Sequence, residues 1–166
     1  MIVMMIATGS LLTLLEQNHR SQSLNSVMTD LNFTLESMSR TIRTGRAYHC
    51  GSGGGNTSAT QDCIDGGNML FVTDQDGRRV QYRTRSLSGR VIVERRIHAG
   101  SGWGGWSELT SENVALETLT FFVTGSAQGD SRQPRVTIAL SGTARRGGEV
   151  ASFSIQTAVT QRILDL

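Results

Sequence analysis

Hydrophobic and polar positions divide the chain into two regimes that meet near residue 45. Eleven of the first fifteen residues (MIVMMIATGSLLTLL) are apolar, and the first charge in the chain is Glu16. After a polar stretch from Glu16 to Ser23, apolar residues return at Leu24, Met28, Leu31, Leu35, Met38 and Ile42, in steps of four, three, four, three and four. That period lays one apolar stripe along a helix. No Pro interrupts Met1 to Thr44 and Gly9 is the only Gly there, so both segments read as one helix over residues 1–45, roughly 66 Å long. Arg40 and Arg43 fall where a cation suits the helix dipole, and Gly45 is placed to cap the end. A coiled coil is the other structure such a stripe can serve, but five steps make a short one.

From Met69 onward the period becomes that of strands. Met69 to Thr73 is a short apolar run, Asp74-Gln-Asp-Gly77 is a turn, and Arg79 to Thr84 alternates with Val80, Tyr82 and Thr84 on one face. A second turn at Leu87-Ser-Gly89 leads into Val91 to Ile97, completing a three-strand meander. Leu119 to Thr124, Arg135 to Leu140 and Val150 to Val159 read as three more strands, separated by turn residues at Gly125 to Pro134 and Ser141 to Gly148. One long helix followed by six strands predicts an α+β fold. An antiparallel sheet, in a head over residues 46–166, is expected to pack on the stripe from Leu24 to Ile42.

The apolar front has the composition of a membrane segment. Met1, Ile2, Val3, Met4, Met5, Ile6, Leu11, Leu12, Leu14 and Leu15 supply it, yet fifteen helical residues span roughly 22 Å against the ~30 Å of a hydrocarbon core. A secretory signal is one reading, but no basic residue precedes the run and no small-x-small site closes it. The other is that the sequence opens inside a longer hydrophobic segment, and the helical continuation behind it favours that expectation.

Composition narrows the chemistry. The 166 residues suit one domain, and 16 basic residues, all Arg, against 14 acidic ones leave a charge of +2, too small for bulk nucleic-acid binding. Seven arginines fall between Arg78 and Arg96. Arg79, Arg83 and Arg85 on one strand, with Arg90, Arg95 and Arg96 on the next, are candidates for a basic ladder that captures DNA or another anionic surface through phosphate contacts. A solvated outer face, partly paired with Glu94, is the plainer alternative. Trp103 and Trp106, in GSGWGGWSELT, offer a stacking platform or a lid folded on the sheet edge, and the usual burial of Trp favours the lid.

Cys50 and Cys63 flank a Gly-rich loop behind a membrane-type front, which points to an oxidising compartment and a disulfide worth about 3 kcal/mol in the chain-entropy treatment. A reactive thiol with His49 as its base is the rival, and adjacent side chains on an extended segment point apart. Asp74-x-Asp76-Gly77 opens like a calcium loop, but position twelve is Arg85 and a hairpin turn accounts for the residues. His19, His49 and His98 lie far apart, no Ser sits in G-x-S-x-G, and no phosphate loop follows a strand. The sequence therefore carries no catalytic constellation, metal set or cofactor motif, and a non-enzymatic protein without a small-molecule substrate is expected.

Taken together, the apolar start MIVMMIATGSLLTLLEQN, the continuation LNSVMTDLNFTLESMSRTIRTG, the Cys50 and Cys63 pair and the ending FSIQTAVTQRILDL resemble the type IV pilin-like proteins. Within them the likeness is to the minor pilins and the J-type minor pseudopilins of type II secretion. The family's basic leader, its Gly before Phe and its early Glu are not among these residues, so the resemblance implies a sequence that begins inside the mature segment. It also implies a subunit stored in the inner membrane by its N-terminal helix, with its head in the periplasm or outside, that joins other pilins or pseudopilins in a filament. In such a subunit residues 1–15 anchor and polymerise, Leu24 to Ile42 hold the sheet, and the disulfide and Trp loops face neighbours.

Overall fold

The computed structural model describes residues 25, 27–51, 60–100, 102–127, 129, 132–146 and 149–162. One helix, α1, covers residues 27–44. Ten strands follow: β1 (Arg46–Cys50), β2 (Cys63–Gly67), β3 (Met69–Thr73), β4 (Arg79–Leu87), β5 (Arg90–Ala99), β6 (Gly102–Trp103), β7 (Ser107–Glu108), β8 (Val114–Thr124), β9 (Arg135–Arg146) and β10 (Glu149–Thr160). They form one antiparallel sheet in the order β1-β3-β4-β5-β8-β9-β10, with β2 paired to β8 and the short β6 and β7 paired to β5.

This corrects the expected α+β layout. The described chain is mostly β with one short helix, not a long helix packed on a sheet. Met1 to Leu15 and Leu24, assigned to that long helix, lie outside the described residues. The extra strand content comes from segments rich in turn formers that pair all the same, because backbone donors and acceptors removed from water need partners. β1 and β2 arise on either side of the Gly-rich loop, β8 starts at Val114 rather than Leu119, and β9 continues through Ser141 to Arg146 where a turn was expected. Gly142 permits that continuation. It sits opposite Phe153 on β10, whose ring lies 3.1 Å from where a Cβ would stand, and the same Cβ would strike the Ala115 carbonyl on β8.

The core gathers on one face of the sheet. Val27, Leu31, Leu35, Met38 and Ile42 of α1 are buried in the same cluster as Leu70, Val80, Tyr82, Leu116 and Phe121 from three strands. Met28, assigned to the stripe, is only half-buried, and Val27 takes the place one residue earlier. Thr34 lies on the same side, and its hydroxyl is 2.7 Å from the Leu109 carbonyl, which ties mid-helix to the segment after β7. On the opposite side of α1, Phe33 is 76% exposed.

The last turn of α1 leaves carbonyls without helical partners, and three separate parts of the chain supply donors. Gly45 N–H donates to Ile42 O at 3.1 Å, Arg162 N–H donates to Arg43 O at 2.8 Å, and the buried Tyr48 hydroxyl lies 2.8 Å from Ile42 O and 2.7 Å from Gly45 O. Gly45 ends the helix where the sequence places a cap, but its φ is not positive. Glycine is needed there for closeness instead: a Cβ would collide with Val72 and lie 2.9 Å from Thr73 O on β3.

Three ties draw the β2 segment against β1 and the β8–β9 turn. The expected disulfide joins Cys50 to Cys63, with Cα atoms 5.9 Å apart, and Gln61 N–H donates to Tyr48 O at 2.9 Å. Asp62, between them, accepts from the N–H groups of Ser126 at 2.7 Å and Gly125 at 3.1 Å. Burial alone raises the Asp62 carboxyl pKa, but the hydrogen bonds from Ser126 and Gly125, with the Arg132 charge, outweigh it and hold the group below its ordinary 3.8.

Two outcomes follow from this packing. Ile42→Ala should lower unfolding stability by about 2–5 kcal/mol in chemical denaturation, whereas Phe33→Ala on the exposed side should leave it near wild type. For Asp62, a depressed folded pKa means that its contribution is complete above the unfolded value and lost as pH falls through the folded one. Thermal melts should therefore show an acid-sensitive component below pH 3.8 in wild type that Asp62→Asn removes.

Candidate functional site

The arginine-rich segment becomes the hairpin β4–β5. Its register sets Arg79 opposite His98, Gln81 opposite Arg96, Arg83 opposite Glu94, Arg85 opposite Ile92 and Leu87 opposite Arg90. Directly opposed residues share a face, so Arg79, Arg83, Arg85, Arg90 and Arg96 come together on the side away from α1. Arg95 does not join them. It opposes Tyr82 on the core face, where burial pushes the Tyr82 phenol pKa up and the Arg95 charge partly offsets that rise. The hairpin closes through Ser88 and Gly89, both with positive φ, as a two-residue turn whose twist matches the strands.

Beyond Gly100 the chain returns along the free edge of β5. β6 pairs Trp103 with His98, β7 pairs Glu108 with Glu94, and the Gly104-Gly105-Trp106 link between them crosses onto the sheet's outer face. Trp106 lies over Arg83, with its ring centre 3.6 Å from the guanidinium carbon. Arg96 is flanked by two indoles, 4.3 Å from Trp103 and 4.4 Å from Trp106, and its Nε donates to Gln81 Oε1 at 2.7 Å. Burial under these rings, and then the neighbouring Arg83 charge, lower the Arg96 pKa, though a guanidinium stays protonated. Trp103 meets Phe71 edge-on at 6.4 Å and His98 at 5.2 Å. The Trp segment is a lid anchored on the edge of β5 at Trp103, and its Trp106 link folds from that edge over the outer face.

Glu94 is the hub beneath this lid. It is 1% exposed, its Oε2 accepts from Arg83 at 3.1 and 3.2 Å, and its Oε1 accepts from Arg85 Nε at 2.6 Å. Arg85 also reaches Glu108 at 3.8 Å. A buried carboxylate is tolerated only with such partners. Three arginines thus share two glutamates and two indoles, and the aromatic faces that a nucleic-acid base would need are covered by the protein's own cations. At the far end of the ladder, Arg90 Nη1 donates to Ser111 O at 3.3 Å.

The other candidates separate. Asp74 accepts from Asp76 N–H at 3.0 Å and Arg78 N–H at 2.9 Å, and Arg78 bridges Asp74 and Asp76, so these residues build the β3–β4 turn. His49 is buried against Phe71, the half-buried His98 meets Trp103, and His19 lies outside the described residues. Among the described residues, no group of three or more His, Cys, Asp or Glu is placed to hold a metal ion. Nor is any helix among them long and apolar enough to cross a membrane, so the anchor expectation rests on the sequence of residues 1–15 alone. Sequence reasoning treated Glu94 as a solvated partner and missed its burial; the available signal was that it is the only acid between Arg78 and Arg96. Asp62 carried no signal, since its partners lie 63 and 64 residues away. No protein-family model, curated protein or solved structure matches the chain.

Replacing Glu94 by Gln keeps the shape and removes the charge that Arg83 and Arg85 share. We expect a stability loss of about 2 kcal/mol. Tryptophan emission should shift to the red as Trp106 loosens from Arg83.

Proposed function

We propose that this chain is a structural, non-enzymatic subunit of a type IV pilin-like filament, of the minor pilin or minor pseudopilin kind. In this reading residues 1–15 hold it in the inner membrane as a single pass before assembly, with the head on the periplasmic or outer side, and other pilins or pseudopilins are its partners. The observation that carries the reading is the seating of α1. Its stripe from Val27 to Ile42 is buried in the head, and in sequence it follows directly on an uncharged apolar segment and a short polar stretch. A helix fixed to a folded head at one end and preceded by such a segment suits a subunit that exchanges lipid for the apolar core of a filament at modest cost. The disulfide adds support, since it belongs with an oxidising compartment. The arginine face is less suited to capturing DNA, because Arg83, Arg85 and Arg96 already have internal partners.

The test is partition in cells that carry a type IV assembly system. The full chain should sediment with inner membranes and be released with sheared filaments. Ile6→Asp with Leu12→Asp should abolish both, since a carboxylate mid-segment costs about 3 kcal/mol for insertion, while the Cys50–Cys63 disulfide still forms. A wild-type chain found only in aqueous fractions, unaltered by the substitutions, overturns the reading.

A further inference from the structure

Among the described residues β10 closes one side of the sheet and leaves its own outer side open. It pairs with β9 at twelve consecutive positions, from Glu149 opposite Arg146 to Thr160 opposite Arg135, and with no other strand among the described residues. In an antiparallel ladder every second residue of an edge strand turns its N–H and C=O outward, so β10 offers unpaired donors and acceptors along roughly 40 Å. Natural sheets protect such edges by brevity, charge, Pro or a bulge. Past Glu149 the strand has none of these: Val150 to Gln161 holds no charged residue and no Pro, and its register is unbroken. The opposite rim is treated differently, for β1 is covered by Gln61 and tied to β2 by the disulfide.

We propose that the β10 edge receives the β10 edge of a second copy of this chain, antiparallel about a two-fold axis, so that the sheet runs from one molecule into the next. Charge selects both the occupant and the direction. The charges nearest the strand's ends are Glu149 at its start and Arg162 just past its end. Antiparallel pairing brings the start of each strand to the end of the other, which sets opposite charges near one another at both ends of the ladder. Parallel pairing sets Glu149 beside Glu149. A register centred on Ile155 keeps both inner faces on one side and places Ser154 opposite Gln156, Ser152 opposite Ala158 and Phe153 opposite Thr157. No like charges meet, and the half-buried Ile155 closes against its own copy to extend the inner apolar row. A two-fold contact uses each edge once, so assembly through it stops at two. The inference stands on β10 alone and is independent of the filament reading.

The experiment is sedimentation equilibrium of the full chain in a mild non-ionic detergent. Wild type should show a monomer–dimer equilibrium. Ser154 and Gln156 are exposed, so substituting them leaves the core alone. Ser154→Lys with Gln156→Lys places like charges opposite each other twice and should weaken the dimer by about tenfold. Ser154→Glu with Gln156→Lys places opposite charges in both positions and should restore it. Retention of the Cys50–Cys63 disulfide and of the wild-type circular dichroism checks the fold of each variant. A chain monomeric at all concentrations, a dimer indifferent to both pairs of substitutions, or open-ended polymers in place of dimers overturns the proposal.

Discussion

Among the described residues a single helix packs on the inner face of a ten-stranded sheet, and the rest of their arrangement follows from that constraint. α1 is about 27 Å long and offers a single stripe, Val27 to Ile42, to residues drawn from both halves of the sheet. A flat sheet of this size would leave most of its apolar face wet. The chain instead brings β1 and β2 against β8, so that strands from opposite ends of the meander converge around the helix. The disulfide, the Gln61 contact and the Asp62 clamp all act at this seam. Closure also buries the end of the helix, which is why a tyrosine from β1 and a backbone N–H beyond β10 converge on its last carbonyls.

The outer face of β4–β5 solves a different problem with charge. β5 lies in the middle of the sheet, and its residues Ile92, Val93 and Glu94 are buried in succession, so even its outward positions are withdrawn from water. A carboxylate held there demands cations, and the cations in turn demand cover. Two guanidiniums on Glu94 and two indoles over Arg83 and Arg96 meet both demands. The glycines beside Trp106 matter because the chain must leave the edge of β5 and come back within three residues. What reads in sequence as a binding ladder is in large part a roof over a buried charge.

Local period was legible and long-range closure was not. The β3–β4–β5 meander follows from alternation and from turn residues at Asp74 to Gly77 and Leu87 to Gly89, with every pairing between strands adjacent in sequence. The disulfide was readable from cysteine spacing and context. The stripe from Leu31 to Ile42 fell where its period put it, but the helix was drawn as the dominant element because continuity of apolar character says nothing about how much sheet will surround it. β1, β2, β6 and β7 have compositions that suit loops, and they become strands only because an existing edge supplies hydrogen bonds. The division of the arginines was hidden for the same reason: Arg95 and Arg96 are neighbours in sequence, and which faces the core depends on the register with β4.

The Cys50–Cys63 bridge also changes how the molecule carries load. A pull applied through α1 reaches β1 first, and from Cys50 the covalent path of least length runs through sulfur to Cys63 and so to β2 and β8. The twelve residues between the cysteines drop out of the line of tension, which shortens the extensible contour by about 40 Å. Force thereby enters the sheet at its seam, where β8 is held by β2 on one side and β9 on the other, and is shared across strands rather than peeled from one rim.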